Sequence, residues 1–209
     1  MSDFPTGFSD NPTPLQDGTL DSQAAELLAG QNCEVRLGLT PAYAEQILAM
    51  SQEPGIREYC PKDSSERFTD RAAAEHWLSK QRAVFLLLKK SGDELQLVGY
   101  GWAGPGYNEH VPEGETTFAL RNGEAGQGQG LAAPFSRQII VASAALYDAQ
   151  NFWLETWASN GAAVHIYHKL GFATVSQAPG ERPAADGSKV ADTRIYMRLP
   201  NQLLGRPAA

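Results

Sequence analysis

Apolar and polar positions alternate through CEVRL (33–37) and again through DTRIYMRL (192–199). In the second stretch Thr193, Ile195, Met197 and Leu199 share one parity, and Asp192, Arg194, Tyr196 and Arg198 share the other. A period of two predicts strands with one buried and one wet face. Between these ends the period changes repeatedly. PAYAEQILAMS puts Ala44, Ile47 and Leu48 on one stripe and has a proline near its start, which predicts a helix. DRAAAEHWLSKQ predicts a second helix, capped by Thr69 or Asp70. RAVFLLLKK, the turn SGDE and LQLVGYGW predict a strand–turn–strand unit, with Gly92 in the turn. ETTFALR is a further strand. After it Leu131, Phe135, Ile139, Ala142 and Leu146 recur at helical spacing. The strand NFWLETW, the helix AAVHIYHKL stopped by Gly171, and the strand FATVS complete the pattern.

The predicted order is β α α β β β α β α β β, with no internal repeat and no linker. It predicts one α/β (α+β mixed) domain over residues 32–200, with a mixed sheet of about seven strands and helices on both faces. Residues 1–31 are expected to form an N-terminal arm. Its first twenty residues are rich in Pro, Gly, Asp, Ser and Thr, and a short helix follows with Ser22 as cap and Ala24, Leu27 and Leu28 on one side. Residues 201–209 form a C-terminal tail.

Composition narrows the partners. The 209 residues carry a net charge of −7, which argues against a broad grip on nucleic-acid phosphates. It suits a cationic substrate, although solubility alone accounts for it. No apolar run approaches the roughly 18 residues of a membrane span. MSDFPTGFSD lacks the basic cluster and apolar core of a secretory signal. The two cysteines, Cys33 and Cys60, read as free thiols of a cytoplasmic protein, with no second pair for a metal site.

The candidate chemistry sits in EAGQGQGLAAPF (124–135), where a glycine-rich turn leads into a helix start. Glycines let backbone N–H groups converge, and a helix N-terminus favours negative charge, so the stretch suits a phosphate. Residues 128–133 fit the relaxed dinucleotide fingerprint G-x-G-x-x-G/A, with Glu155 on the next strand. Dinucleotide binding, however, needs a loop tight against its strand and several parallel βαβ units; NGEAG intervenes here, and only one such unit is found. A Walker A loop fails, because no Lys-Ser or Lys-Thr follows the glycines.

A second pattern also fits: Gln127, Gly128, Gln129, Gly130, Leu131 and Ala132 match Q/R-x-x-G-x-G/A. About thirty residues on, SNGAAVHIYHKLGF matches N-x-x-A-x-x-x-Y-x-K-L-G-F through Asn160, Ala163, Tyr167, Lys169, Leu170, Gly171 and Phe172. With a strand before each, these two motifs resemble the GNAT N-acetyltransferase superfamily, whose first motif binds the pyrophosphate of coenzyme A. The resemblance covers residues 97–176, is vaguer over 33–96 and is absent from the arm.

The resemblance implies a GNAT-like, mostly antiparallel sheet. Its fourth and fifth strands, ETTFALR and NFWLETW, run parallel but splay apart. Backbone at Leu120, Arg121 and Asn122 would pair with pantetheine, and N–H groups at Gly128, Gln129, Gly130, Leu131 and Ala132 would hold the pyrophosphate of acetyl-CoA, the co-substrate. Gln127 stands where many relatives have Arg, so the loop would rely on backbone donors. Asn160, Ala163 and Tyr167 would complete the cofactor side, and Asn160 can cap the last helix as well. Tyr167 holds the family's general-acid position; taken alone it would be a helix tyrosine packing its ring into the core. Glu115 is the candidate base, with Glu113, His110 and Glu155 as competitors. Tyr100, Trp102 and Tyr107 are possible walls of an acceptor pocket, and the loop 103–114 a place for acceptor selectivity. His165 and His168, three apart, read as surface residues.

The implied activity is acetyl transfer to a primary amine, on a small molecule or a peptide or protein, by a monomer or homodimer needing neither nucleic acid nor membrane. A non-catalytic acyl-CoA-binding or sensing module on the same fold would carry the same loop. A nicotinamide-dependent oxidoreductase is expected to fail on fold.

Overall fold

Four helices begin where a side chain closes the first turn. Asp21 accepts from Ala24 N–H at 2.9 Å, Thr40 from Tyr43 at 3.2 Å, Asp70 from Ala73 at 2.8 Å and Asn160 from Ala163 at 3.3 Å. These caps start α1 (Ser22–Ala29), α2 (Pro41–Ser51), α4 (Arg71–Leu78) and α6 (Gly161–Lys169). Ser22 is therefore the first helical residue and Asp21 the cap. Between α2 and α4 lie α3 (Pro54–Tyr59) and a π-helical turn (Asp63–Arg67), too short for a periodic signal. The computed structural model describes residues 7–16, 18–106, 110–184 and 187–200; the expected C-terminal tail lies outside them.

The strands are β1 (Thr13–Pro14), β2 (Cys33–Leu37), β3 (Ala83–Ser91), β4 (Glu94–Pro105), β5 (Thr116–Asn122), β6 (Asn151–Trp157), β7 (Ala173–Pro183) and β8 (Lys189–Pro200). They form one sheet in the order β1-β2-β3-β4-β5-β6-β8-β7. The eighth strand beyond the expected seven is β1, a two-residue piece of the arm paired with Leu37 and Arg36 of β2. The β7–β8 hairpin is longer than FATVS and DTRIYMRL suggested. β4 runs on through Pro105, which shortens the loop expected over 103–114. Among the described strands β5 and β6 are the only parallel pair. The described strands form no doubly wound parallel sheet, and the nicotinamide reading fails with it.

Two cores lie on opposite faces. Leu86 and Leu88 join Ile47, Trp77, Tyr100 and Trp102 under α2 and α4. Phe85 and Leu87 join Phe118, Phe135, Ile139, Phe152 and Tyr167 under α5 (Ala132–Tyr147) and α6. Successive strand residues point to opposite faces, so β3 is buried on both sides, and RAVFLLLKK reads as a continuous apolar run. In β4 the pairing steps from Leu87↔Gly99 to Leu88↔Leu97, leaving Val98 as an extra residue. This bulge re-aims the strand: Leu97 and Tyr100 belong to one core and Val98 to the other.

Helix α5 starts differently. Leu131 precedes it with no side-chain cap and no acidic residue in the first turn. Leu131, Phe135, Ile139 and Ile140 are nearly inaccessible. Each such burial contributes about 1.5–3 kcal/mol, against about 1 kcal/mol for a missing cap. Packing thus holds α5 in place while its N-terminus stays bare.

Candidate functional site

The parallel ladder between β5 and β6 is two residues long, Thr116↔Phe152 and Thr117↔Trp153. Beyond Thr117 the strands separate, and the edge of β5 over residues 118–122 opens onto a gap. Gly123 N–H donates to Val98 O at 3.0 Å. By the alternation of an antiparallel pair, Ala119 and Arg121 turn their backbone groups to β4, and Leu120 and Asn122 turn theirs into the gap. The backbone of Leu120 and Asn122 therefore lies on the open edge, whereas the backbone of Arg121 pairs with β4.

The strand leads into the glycine loop through a 3₁₀ turn (Glu124–Gly126). Gly128 and Gly130 adopt φ of +71° and +70°, with Leu131 back at −72°. A Cβ at either glycine would meet nothing within 4 Å, so the backbone conformation, not space, demands glycine there. Such alternation turns neighbouring N–H groups to one side as an anion-binding nest. Among the described residues, no protein acceptor takes a bond from the N–H groups of residues 128–133. They merge with the bare N-terminus of α5, whose dipole favours negative charge. Gln129 staples the loop: its Oε1 accepts from Lys89 Nζ and its Nε2 donates to Ala125 O, both at 2.6 Å. Gln127 is exposed.

Tyr167, on the second turn of α6, is buried. Its ring stands edge-on to Phe118 with centroids 6.1 Å apart and packs on Phe172 at 5.9 Å. Its hydroxyl makes no hydrogen bond to a described residue. Burial pushes the phenol up to about 12, with Arg121 opposing and Cys60 assisting. The group is thus a protonated donor at neutral pH. Core packing and a free hydroxyl coexist in one side chain. Asn160 and Ala163 are committed to the cap of α6.

A buried charge cluster beside the gap escaped the sequence reading. Asp63, with its side chain fully buried, accepts from Arg67 Nη1 at 2.6 Å, Tyr100 hydroxyl at 2.6 Å and Arg121 Nε at 2.8 Å. Burial alone would raise this carboxyl, but Arg121, Arg67 and the Tyr100 hydroxyl hold it below its usual value. Arg121 Nη1 also donates to Leu120 O at 2.8 Å. The one local signal was the four-residue spacing of Asp63 and Arg67. The partner Arg121 lies 58 residues away. Tyr100 and Trp102 are consequently core residues rather than pocket walls: Phe68 and Trp77 pack edge-on against them at 6.0 and 5.6 Å. Tyr107 lies outside the described residues.

Glu115 stands where β5 and β6 join, just before the ladder. Its Oε1 accepts from Asn151 Nδ2 at 2.7 Å, and Asn151 Oδ1 accepts from Arg198 at 2.6 Å. Glu155 is exposed, 3.9 Å from Arg194, whose guanidinium lies 3.5 Å from the Trp157 ring centroid. Glu113 is exposed, and the His110 ring is 4.1 Å from Tyr196. His165 and His168 are exposed, and the described residues hold no group of three metal-ligating side chains. Over the hairpin, Arg182 bonds Glu58 of α3 at 2.5 Å and Asp192 at 2.8 Å, tying α3 to β7–β8. No helix among the described residues is long and apolar enough to cross a membrane.

The model of the acetyltransferase (GNAT) domain matches residues 36–173. No curated protein matches the chain. Among solved structures, the spermidine N-acetyltransferase of Vibrio cholerae, in complex with CoA and spermine, superposes with a TM-score of 0.67 at 16% identity, covering 83% of this chain and 98% of that one. The yncA protein of Salmonella typhimurium, solved with its cofactor acetyl-CoA, gives 0.61 at 18%, covering 85% and 97%. A ribosomal-protein-alanine N-acetyltransferase of Brucella melitensis gives 0.59 at 15%, covering 79% and 98%. At such identities the superpositions speak to the fold.

Proposed function

The chain belongs to the acetyltransferase (GNAT) family, and from that premise we propose that it is an N-acetyltransferase, moving an acetyl group from acetyl-CoA to a primary amine by direct transfer in a ternary complex. One observation carries this: the fold leaves donors without protein acceptors at two neighbouring places, the open edge of β5 and the nest at residues 128–131 with the bare start of α5, joined by a turn whose own donors at Gly123, Glu124, Gly126 and Gln127 are bonded within the protein. An extended chain with two amides can pair along the strand edge as an added strand does, and a pyrophosphate can occupy the nest. A pantetheine arm ending in a pyrophosphate has that shape.

Acetyl-CoA supplies a thioester whose carbonyl the amine attacks. Leu120 and Asn122 hold the pantetheine, residues 128–132 the pyrophosphate, and Gln129, fixed by Lys89 and Ala125, keeps the nest preformed. Tyr167 provides the proton for the departing sulfur. Glu115, with one oxygen fixed by Asn151, is the proposed acceptor of the amine proton, through water. Two of the structural neighbours are named for a polyamine and for a protein alanine, so small and macromolecular amines both belong in the screen.

Calorimetric titration with acetyl-CoA, with NADH as control, tests this first. Saturable binding of acetyl-CoA alone, followed by thiol release with a primary amine, is expected. Binding without thiol release from any polyamine, amino acid or peptide N-terminus would instead make the chain a non-catalytic acyl-CoA-binding module. Binding of neither would leave the nest without its proposed ligand.

A further inference from the structure

Arg121 has more than a structural partner. Asp63 takes its Nε, but Nη1 is spent on Leu120 O, a carbonyl of the open edge, and Nη2 has no partner among the described residues. Two guanidiniums, Arg67 and Arg121, surround one carboxylate, which leaves a net positive charge. Arg67 is drawn away from the gap: its guanidinium lies 5.3 Å from the Trp102 ring centroid and 6.0 Å from that of Trp77. Of the two, Arg121 is the guanidinium that touches the open edge, through Leu120 O, where the thioester would lie.

We propose that Arg121 stabilises the thiolate that leaves during acyl transfer, and that Asp63 and Tyr100 are the positioning residues that aim it. This role rests on acetyl-CoA occupying the gap. The amine nitrogen forms a bond to the carbonyl carbon, the C–S bond breaks, and its electron pair goes to sulfur. The sulfur takes the Tyr167 proton; the amine gives its surplus proton to Glu115 or water, and Tyr167 regains one from solvent. Negative charge develops first on oxygen, then on sulfur, then on the phenol. A fixed cation beside all three lowers each without reorganising. The groups facing Arg121 are Asp63 and Arg67 of the π turn, Tyr100 of β4, Cys60 after α3 and Tyr167 of α6. The Arg121 charge opposes the rise that burial imposes on the Tyr167 phenol.

The test uses the full chain and three readouts: acetyl-CoA affinity, kcat with a turned-over amine, and titration of the bound CoA thiol by thiolate absorbance. In Arg121→Gln, acetyl-CoA affinity stays within about threefold, kcat falls about 10²-fold, and the bound thiol titrates about one pH unit higher. Arg121→Lys, which keeps the charge, recovers most of both. A merely structural role would not move the thiol titration. If Arg121→Gln does not fold, the pair Asp63→Asn/Arg121→Gln removes the buried carboxylate together with its second guanidinium and carries the same readouts. An unchanged thiol titration, or a kcat loss that appears only with lost affinity, overturns the role. A wild-type chain that binds no acetyl-CoA sinks the acetyltransferase reading and this role together.

Discussion

Replacing Tyr167 by Phe separates packing from chemistry, because the structure assigns the ring and the hydroxyl to different tasks. The ring packs against Phe118 and Phe172, and Phe keeps those contacts. The hydroxyl bonds no described residue, so its loss leaves no orphaned donor or acceptor. The expected stability change is within about 0.5 kcal/mol, a shift in Tm of about 1–2 °C for a chain of this size. The rate behaves otherwise. Removing a positioned proton donor typically costs 10²–10⁴, or about 3–5 kcal/mol of transition-state stabilisation, and here it should fall on kcat with the KM for acetyl-CoA little changed. With the phenol at about 12, wild-type kcat should also show no basic limb from this group below about pH 11. Steady-state kinetics and a thermal melt on the same preparations suffice. A variant with kcat within about threefold of wild type would refute Tyr167 as the acid and return it to the core. Tyr167→Ala could not decide, since its cavity alone costs about 3–5 kcal/mol.

Gly130→Ala should lose about 1–2 kcal/mol to backbone strain at φ +70°, with no steric clash, and bind acetyl-CoA more weakly; unchanged affinity by calorimetry would remove the nest from the site. The Asp63 carboxyl, held low in the fold, contributes stability that is fully present above its unfolded value near 3.9 and is lost as pH falls toward the folded value. Melts of wild type between pH 7 and pH 3 should therefore lose more stability on acidification than melts of Asp63→Asn, and the opposite order would contradict the buried, ionised carboxylate.

What could be read along the chain was whatever a few neighbouring residues settle among themselves. The glycines at 128 and 130, the cap at Asn160 and the stop at Gly171, with φ of +95°, each answer to backbone conformation within one turn. Motif spacing followed from the same local geometry, since seven residues place Asn160 and Tyr167 two helical turns apart. The pattern of CEVRL and DTRIYMRL gave strands for the equally local reason that side chains alternate.

The rest waited on contacts between distant segments. Tyr100 and Trp102 look alike in the sequence whether they line a pocket or fill a core; α4 and Phe68 cover them, and the bulge at Val98 decides their parity. The gap exists because the β5–β6 ladder stops after two residues while β6 continues its pairing with β8, a balance no single strand encodes. Asp63 was one acid in a polar stretch until folding brought Arg121 and Tyr100 to it. Charge takes its meaning from burial, and burial is a property of the whole chain, so the sequence alone determined the loop, the helix ends and the family pattern, and only the tertiary structure decided which charges face the chemistry.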